Sequence, residues 1–364
     1  MTSSLLRRGR RWRLTPVVAV AAILTITGCA STGDKNEPAA SSSSAPSGPL
    51  PPAEGATTYP LTLTTWAGES VLQKRPERIA VIGLNPNADA LQALNVTPVY
   101  TLTDDPEAPW RDQAWLKKIE KVDTATRRDP INFEGIAAAK PDLIVAVNAL
   151  EGKPDYTKLA EIAPVLDTKE EGAEITWQDL QRQIGQTLDL GAAADKLVTS
   201  AEQAITDAAK AHPEFAGKTI TIANDYGPQY GLSYYTIADT FTEDVMLKLG
   251  FAANPNAKKF VDEDVVSDEN LGLLDADLLV VTYVSDEVRK AREAKPLFKS
   301  IKAVSEGRYV ALTLAKDDST KMVTTDGKQV DNATWVLRAG ASATSLPWAV
   351  KAVADSWLTG AKLS

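Results

Sequence analysis

GAAADKLVTSAEQAITDAAKAHPEFAGK, residues 191–218, separates two runs of strands and helices. Between Ala192 and Ala211 no Gly or Pro interrupts it, and Ala193, Leu197, Ala201, Ala204, Ile205 and Ala208 fall on one stripe at helical spacing. Alanine carries no helix penalty. The spacing therefore predicts a single helix over 192–211, ~30 Å long at ~1.5 Å per residue. Gly217 then opens a new series of elements.

Outward from this helix the chain alternates strands and helices. Toward the N-terminus the pattern predicts strands at Tyr59–Trp66 (YPLTLTTW) and Ser70–Leu72, then a buried strand at Arg78–Gly83 (RIAVIG) after Pro76. A helix at Asn87–Leu94 follows, and another at Phe133–Lys140 with Asn132 as N-cap and Pro141 closing it. The strand Leu143–Val147 comes next, and Trp177, Leu180, Ile184 and Leu188 mark a helix over Thr176–Leu188. Toward the C-terminus come strand Thr219–Ala223, helix Ala238–Leu249, strands Leu278–Thr282 and Tyr309–Leu314, and helix Pro347–Leu358. Short strands separated by helices mean an α/β fold with mostly parallel sheets. The two sides share one pattern. Ile131-Asn132-Phe133-Glu134-Gly135-Ile136 leads through AAAKPDLIVA, and Val266-Ser267-Asp268-Glu269-Asn270-Leu271 leads through GLLDADLLVV. Each reads cap, acid, short helix, Asp, buried strand, as an internal duplication would.

The N-terminus has a different character. Arg7, Arg8, Arg10, Arg11 and Arg13 precede an uncharged run from Leu14 to Gly28, and Cys29 follows. A basic segment, a short apolar stretch and small residues before a cut make a secretory signal over residues 1–28. The run is shorter than the ~20 residues a membrane-spanning helix needs. Ile26-Thr27-Gly28-Cys29 resembles a bacterial lipobox, which implies a lipid on Cys29 and attachment to a bilayer without crossing it. Residues 29–58, with Ser41–Ser44 and Pro49-Leu50-Pro51-Pro52, read as a flexible linker.

Composition narrows the function. The 364 residues suggest roughly two domains, and 44% apolar residues suffice for a core. The 39 basic and 48 acidic groups give a net charge of -9, which becomes -14 once residues 1–28 are removed. That field opposes nucleic-acid binding. One Cys and one His exclude disulfide frameworks and multi-His or thiolate-rich metal sites. Ala216-Gly217-Lys218-Thr219 imitates the tail of a phosphate loop, but His212 stands where its upstream Gly belongs and Lys218-Thr219 enters a strand. No G-x-S-x-G elbow exists. His212 reads as an exposed or cap-proximal side chain, and Asp262-Glu263-Asp264 lacks calcium-loop spacing. No local motif supports catalysis, and no cofactor is expected.

Lys74–Ile82 (KRPERIAVI) resembles the start of the helical-backbone class of bacterial ABC-importer solute-binding proteins, which serve ferric siderophores, haem and cobalamin. The likeness continues through Asn87–Val99 (NADALQALNVTPV), Phe133–Ala146, the 176–188 helix and the long helix after it. It resumes in Ser267–Val281 and Ile301–Leu312 (IKAVSEGRYVAL), so it spans essentially residues 59–360. The resemblance implies two Rossmann-like lobes, 59–191 and 212–364, joined by the single long backbone helix 192–211, with ligand held in the cleft between them. It implies delivery to a membrane permease and its ATPase, with Glu134 and Glu269 as docking acids, one from each lobe. It also implies a monomer anchored outside the cytoplasm on the cell membrane.

The ligand such a resemblance implies is a ferric siderophore. The high negative charge favours a neutral or cationic hydroxamate complex over a catecholate. Haem, for which Tyr230 or a neighbour could serve as axial ligand, and cobalamin are alternatives within the class. A structural envelope lipoprotein or a lipoprotein hydrolase is the alternative outside it. A cleft for a bulky chelate calls for aromatic and basic residues in loops. Those are Trp66, Asn85, Trp110 and Arg111 before the long helix, and Tyr226, Tyr230, Tyr234, Tyr283, Arg289, Trp335 and Arg338 after it. Asn224–Tyr235 (NDYGPQYGLSYY) places four tyrosines just past a strand end, where open sheets bind ligands.

Overall fold

A computed structural model describes residues 49–103, 105–124, 129–359 and 361. The signal segment 1–28, Cys29 and the linker up to residue 48 lie outside the described residues. Residues 49–58, expected within the linker, are packed against the body. The Asp189 carboxylate accepts the backbone N–H groups of Gly55, Ala56 and Thr57, each at 2.8 Å. Glu54 accepts those of Ala192 and Ala193 at 2.7 and 2.9 Å. A helix start leaves N–H groups without partners, and an acid there satisfies them. The packed body thus includes the ten residues before Tyr59.

A hairpin of β1 (Leu61–Thr64) and β2 (Glu69–Leu72) precedes the first sheet. That sheet comprises β3 (Ile79–Val81), β4 (Tyr100–Thr103), β5 (Lys121–Thr124), β6 (Leu143–Val145) and β7 (Val165–Leu166). Its order is β5-β4-β3-β6-β7 and every pairing is parallel. The helices α1 (Asn85–Ala93), α2 (Gln113–Leu116), α3 (Phe133–Ala138) and α4 (Lys153–Ala160) connect the strands. As the sequence predicts, Asn132 caps α3, its Oδ1 accepting from the Gly135 N–H at 2.8 Å.

The chain then runs through α5 (Trp177–Thr187) and α6 (Gly191–Ala211) to the second sheet. The apolar stripe of α6 divides between two cores. Ala194, with Ala193 and Leu197 beside it, packs with Leu91, Leu143 and Ile184 beneath the first sheet. Val198, Ala201 and Ile205 pack with Ile220, Leu278 and Trp357 beneath the second.

The second sheet contains β8 (Ile220–Asp225), β9 (Leu232–Tyr234), β10 (Leu278–Tyr283), β11 (Tyr309–Ala315), β12 (Asp318–Thr324) and β13 (Gln329–Asp331). Its order is β13-β12-β11-β10-β8-β9. Only β8, β10 and β11 run parallel; β9, β12 and β13 are added antiparallel at the edges. The expectation of mostly parallel sheets holds for the first sheet and is corrected for the second, which is mixed. Helix α7 (Phe241–Lys248) follows β9, and α8 (Asp286–Ala294), α9 (Pro296–Lys299) and α10 (Lys302–Ser305) link β10 to β11. The C-terminal helix α11 (Ser345–Ala352) runs on into a wider turn, Val353–Trp357. Among the described residues no helix is long and apolar enough to cross a membrane.

Candidate functional site

The order of the first sheet reverses between β3 and β6, and the crevice beyond the strand ends at such a reversal is where α/β sheets take ligands. Asn87 stitches the reversal, its Nδ2 donating to the carbonyls of Ile82 and Val147, both at 2.9 Å. Gly83 makes the turn between β3 and α1. Its φ is +100°, and a Cβ there would lie 2.8 Å from the Ala149 Cβ, so the close approach requires glycine.

A cavity of about 300 Å³ opens beside this crevice. Asn85, Asp105, Pro109 and Trp110 line it from the segment before α6, and Ser319, Thr320, Asn332 and Trp335 from the segment after it. Asn85 is buried, its Oδ1 accepting from Thr103 Oγ1 and Arg111 Nη2, both at 3.1 Å. Trp335 is 40% exposed. Two indoles together with a few small polar groups suit a ligand carrying both apolar and polar surface.

Trp110 also belongs to a buried polar group behind the cavity. Its Nε1 donates to Asp89 Oδ2 at 2.8 Å, and its ring centroid lies 4.9 Å from that of Trp348. Ser342, from the other end of the chain, donates to the same Asp89 oxygen at 2.9 Å. Arg111 Nη1 pairs with Asp89 Oδ1 at 2.9 Å, with no exposed side-chain surface on either residue. The expectation that Arg111 lines an open cleft is therefore corrected. Its guanidinium neutralises a buried carboxylate and orients Asn85.

A second group joins Tyr226, just after β8, and Tyr235, just after β9, to Arg338 in the turn Val336–Gly340. Arg338 Nη1 donates to the Tyr226 hydroxyl at 2.8 Å and to that of Tyr235 at 3.2 Å, and its guanidinium lies 5.1 Å over the Tyr235 ring. The two tyrosine hydroxyls also hydrogen-bond each other. Burial, and then the Tyr226 hydroxyl, push the Tyr235 phenol well above its ordinary pKa, so it stays a proton donor. Asp264 approaches Arg338 Nη2 at 3.7 Å. Arg338 keeps 45% of its side chain exposed and Tyr226 is half-buried, whereas Tyr235 is buried, and all three stand outside the cavity lining.

The other sequence candidates are dispersed. Tyr230 is 64% exposed at the loop tip, where its hydroxyl accepts from Gln229. Tyr234 is corrected to the core: it stacks on Phe260 at 4.2 Å and bonds Thr221, because all of β9 is buried and its ring joins the cluster of Leu232 and Phe260. Tyr283 is likewise buried, at the end of β10, with its hydroxyl 2.6 Å from that of Tyr309. Arg289 is held within its own helix by Asp286 and Glu293. Trp66 is half-buried and donates to Asp167 at 2.9 Å. Of the eleven ligand residues expected from sequence, Asn85, Trp110 and Trp335 line the cavity, whereas Trp66, Arg111, Tyr226, Tyr230, Tyr234, Tyr283, Arg289 and Arg338 do not. Glu134 and Glu269 are both exposed, each the second residue of a helical turn. Among the described residues no group of three or more His, Cys, Asp or Glu could hold a metal ion.

Sequence reasoning missed Asp105, Pro109, Ser319, Thr320, Asn332 and Tyr235. For the β12–β13 residues a signal existed: Asp326-Gly327 between MVT and KQV has the form of a hairpin turn. Gly327 does adopt a φ of +84°.

Residues 77–314 match the model of a family described as periplasmic binding protein. A periplasmic solute binding protein from Mycobacterium smegmatis has a similar structure, with a TM-score of 0.64 and 25% identity over 84% of this chain and 99% of that one. PiaA of Streptococcus pneumoniae, solved in complex with ferrichrome, has a TM-score of 0.63 at 22% identity over 83% and 99% of the two chains. YhfQ of Bacillus subtilis, whose curated name assigns it provisionally to the ABC transporter substrate-binding lipoproteins, is 31% identical over 108 residues. That match spans 30% of this chain and only 33% of the relative.

Proposed function

We propose, from the premise that the chain belongs to the periplasmic binding protein family, that it is the extracytoplasmic substrate-binding component of an ABC importer for a ferric siderophore of hydroxamate type. The observation that carries the reading is the cavity walled by Trp110 from one half of the chain and Trp335 from the other. Such a site is completed only when both halves are in place, and it offers broad apolar faces to the organic shell of a chelate. Arg338 and Tyr226, just outside the cavity lining, supply donors for the parts of a chelate that reach beyond it. The solved complex of PiaA with ferrichrome supports the reading at the level of the fold.

In this reading each sheet with its helices is one lobe, and α6 is the single rigid bridge. The division of its apolar stripe between two cores supports that role. A rod anchored in both cores permits only modest closure on binding. Cys29 carries the lipid that holds the protein at the outer face of the membrane, a role supported by its lipobox-like context and by the lipoprotein name of YhfQ. Glu134 and Glu269 dock on basic pockets of the permease. Their exposure and their matching positions support this.

Titration of the mature protein with ferric hydroxamates, ferric catecholates, ferric citrate, haem and cobalamin, followed by tryptophan fluorescence, tests the proposal. Saturable quenching by a ferric hydroxamate is expected, since two indoles line the cavity. Saturable binding of only haem or cobalamin would redirect the reading within the class. No saturable response to any of them would overturn it.

A further inference from the structure

We infer that the β12–β13 hairpin is the wall that selects which ligand the cavity admits, with Ser319 and Asn332 setting its clearance. The inference rests on the reading of this cavity as the ligand site. The match to the family model ends at residue 314, and the hairpin begins at Asp318. Ser319, Thr320, Asn332 and Trp335 nevertheless make one whole side of the cavity. The wall facing Asn85 and Trp110 is therefore built from sequence outside the matched segment.

The hairpin is built as a rigid surface. Its strands pair antiparallel with Lys321 opposite Asp331, and those two side chains form an ion pair 2.5 Å apart. Asn332 donates its Nδ2 to the Ser319 carbonyl at 2.9 Å and its backbone N–H to that of Thr320 at 2.8 Å. Thr320 is held by the Asp318 carboxylate through both its hydroxyl and its N–H, at 2.6 and 2.9 Å. The Trp357 indole clamps the base by donating to the Asp331 carbonyl at 2.8 Å. With their side-chain donors engaged inside the hairpin, Thr320 and Asn332 act on a ligand mainly through their volume, and the small Ser319 beside them sets the clearance. The space between the hairpin and Trp110 is what a ligand must fit. A wall that does not yield discriminates by size, because overpacking it costs binding energy.

The test compares the full mature chain with Ser319→Trp, Ser319→Leu and, at the far turn of the hairpin, Lys328→Ala. Ser319 is exposed, so either replacement leaves the core untouched. Affinities are measured for a bulky ferric trihydroxamate and for the compact ferric citrate, and melting temperatures confirm folding. In both Ser319 variants the ratio of the two affinities should shift toward the compact chelate, by about tenfold or more for tryptophan. Lys328→Ala should leave the ratio unchanged. If the unchanged chain binds and its Ser319 variants keep the same ratio within about twofold, the hairpin does not select and the inference falls alone. If the unchanged chain binds none of these chelates, the function proposed above falls and takes the inference with it.

Discussion

Asp142 and Asp277 occupy the same place in the two sheets. Each immediately precedes a buried central strand, and each uses its carboxylate to hold the start of the neighbouring parallel strand. Asp142 accepts from the Arg78 N–H at 2.8 Å, and Asp277 from the Thr219 N–H at 2.8 Å. The registers agree, Ile79 lying opposite Leu143 and Ile220 opposite Leu278. The Thr219 backbone N–H, with help from its hydroxyl, holds the Asp277 carboxyl below the usual range. Asp277→Ala should therefore cost ~1–3 kcal/mol of stability at neutral pH. A depressed carboxyl contributes stability above its unfolded pKa of about 3.9 and loses it as pH falls through the folded value. Denaturant unfolding at pH 7 and pH 3 checks this: the gap between wild type and variant should narrow in acid.

That relationship explains how much of the fold was legible. Asp followed by an apolar tetrad stood out twice because a buried parallel strand needs continuous apolar residues, and α6 stood out because Ala and Ile keep a strict period. What stayed hidden had weak patterning. Helix α8, DEVRKAREA, has no buried residue, so no stripe betrays it. Strand β9 holds three residues, all buried, too few to show alternation.

The Asp89–Arg111 pair has no exposed side-chain surface, and Asp89 also takes hydrogen bonds from Trp110 and Ser342. Removing one partner from such a pair leaves an uncompensated buried charge, which typically costs ~3–5 kcal/mol. Arg111→Met should destabilise the protein on that scale. Ser342→Ala removes only a neutral hydroxyl and should cost ~1 kcal/mol. Thermal unfolding ranks the two, and equal effects would contradict this account. Arg111 was legible in sequence as a basic residue beside a tryptophan. Its carboxylate partner lies 22 positions earlier, on α1, and nothing local announced it.

Arg338 can be tested without disturbing the core. Hydrogen bonds to a charged group contribute ~1.5–3 kcal/mol, so Arg338→Ala should weaken ligand binding by about tenfold to a hundredfold. The melting temperature should hardly move. Tyr226→Phe removes one neutral donor and should have a smaller effect on affinity. Equilibrium titration with the ligand found in the panel measures both.

Glu134 and Glu269 are expected to act after the ligand is bound. Charge reversal, Glu134→Arg with Glu269→Arg, should abolish uptake by cells that depend on the protein, while affinity of the isolated protein stays within about twofold of wild type. Parallel transport and binding measurements separate the two. A matching loss of affinity would place the acids in the cavity or the fold.

His212 ends α6 and ties it to the C-terminal turn. Its Nδ1 faces Glu214 and its Nε2 faces Asp355, both at 2.9 Å, and its ring stacks on Phe215. Two carboxylates on opposite ring nitrogens call for two N–H donors, and only the imidazolium has both. Burial acts to lower the His212 pKa, but hydrogen bonds to Asp355 and Glu214 and their charges outweigh it, and the pKa is raised. A raised folded-state pKa stabilises fully below the unfolded value of about 6.5, and the stabilisation is lost as pH rises through the folded value. At the acid end the clamp weakens again when Glu214, whose carboxyl His212 holds low, takes up a proton. His212→Gln should therefore lower the melting temperature most between about pH 5 and 6.5 and progressively less in alkali. Melting curves of both proteins from pH 4 to 9 decide the matter, and a gap that widened with rising pH would show that the neutral ring is the form the fold prefers.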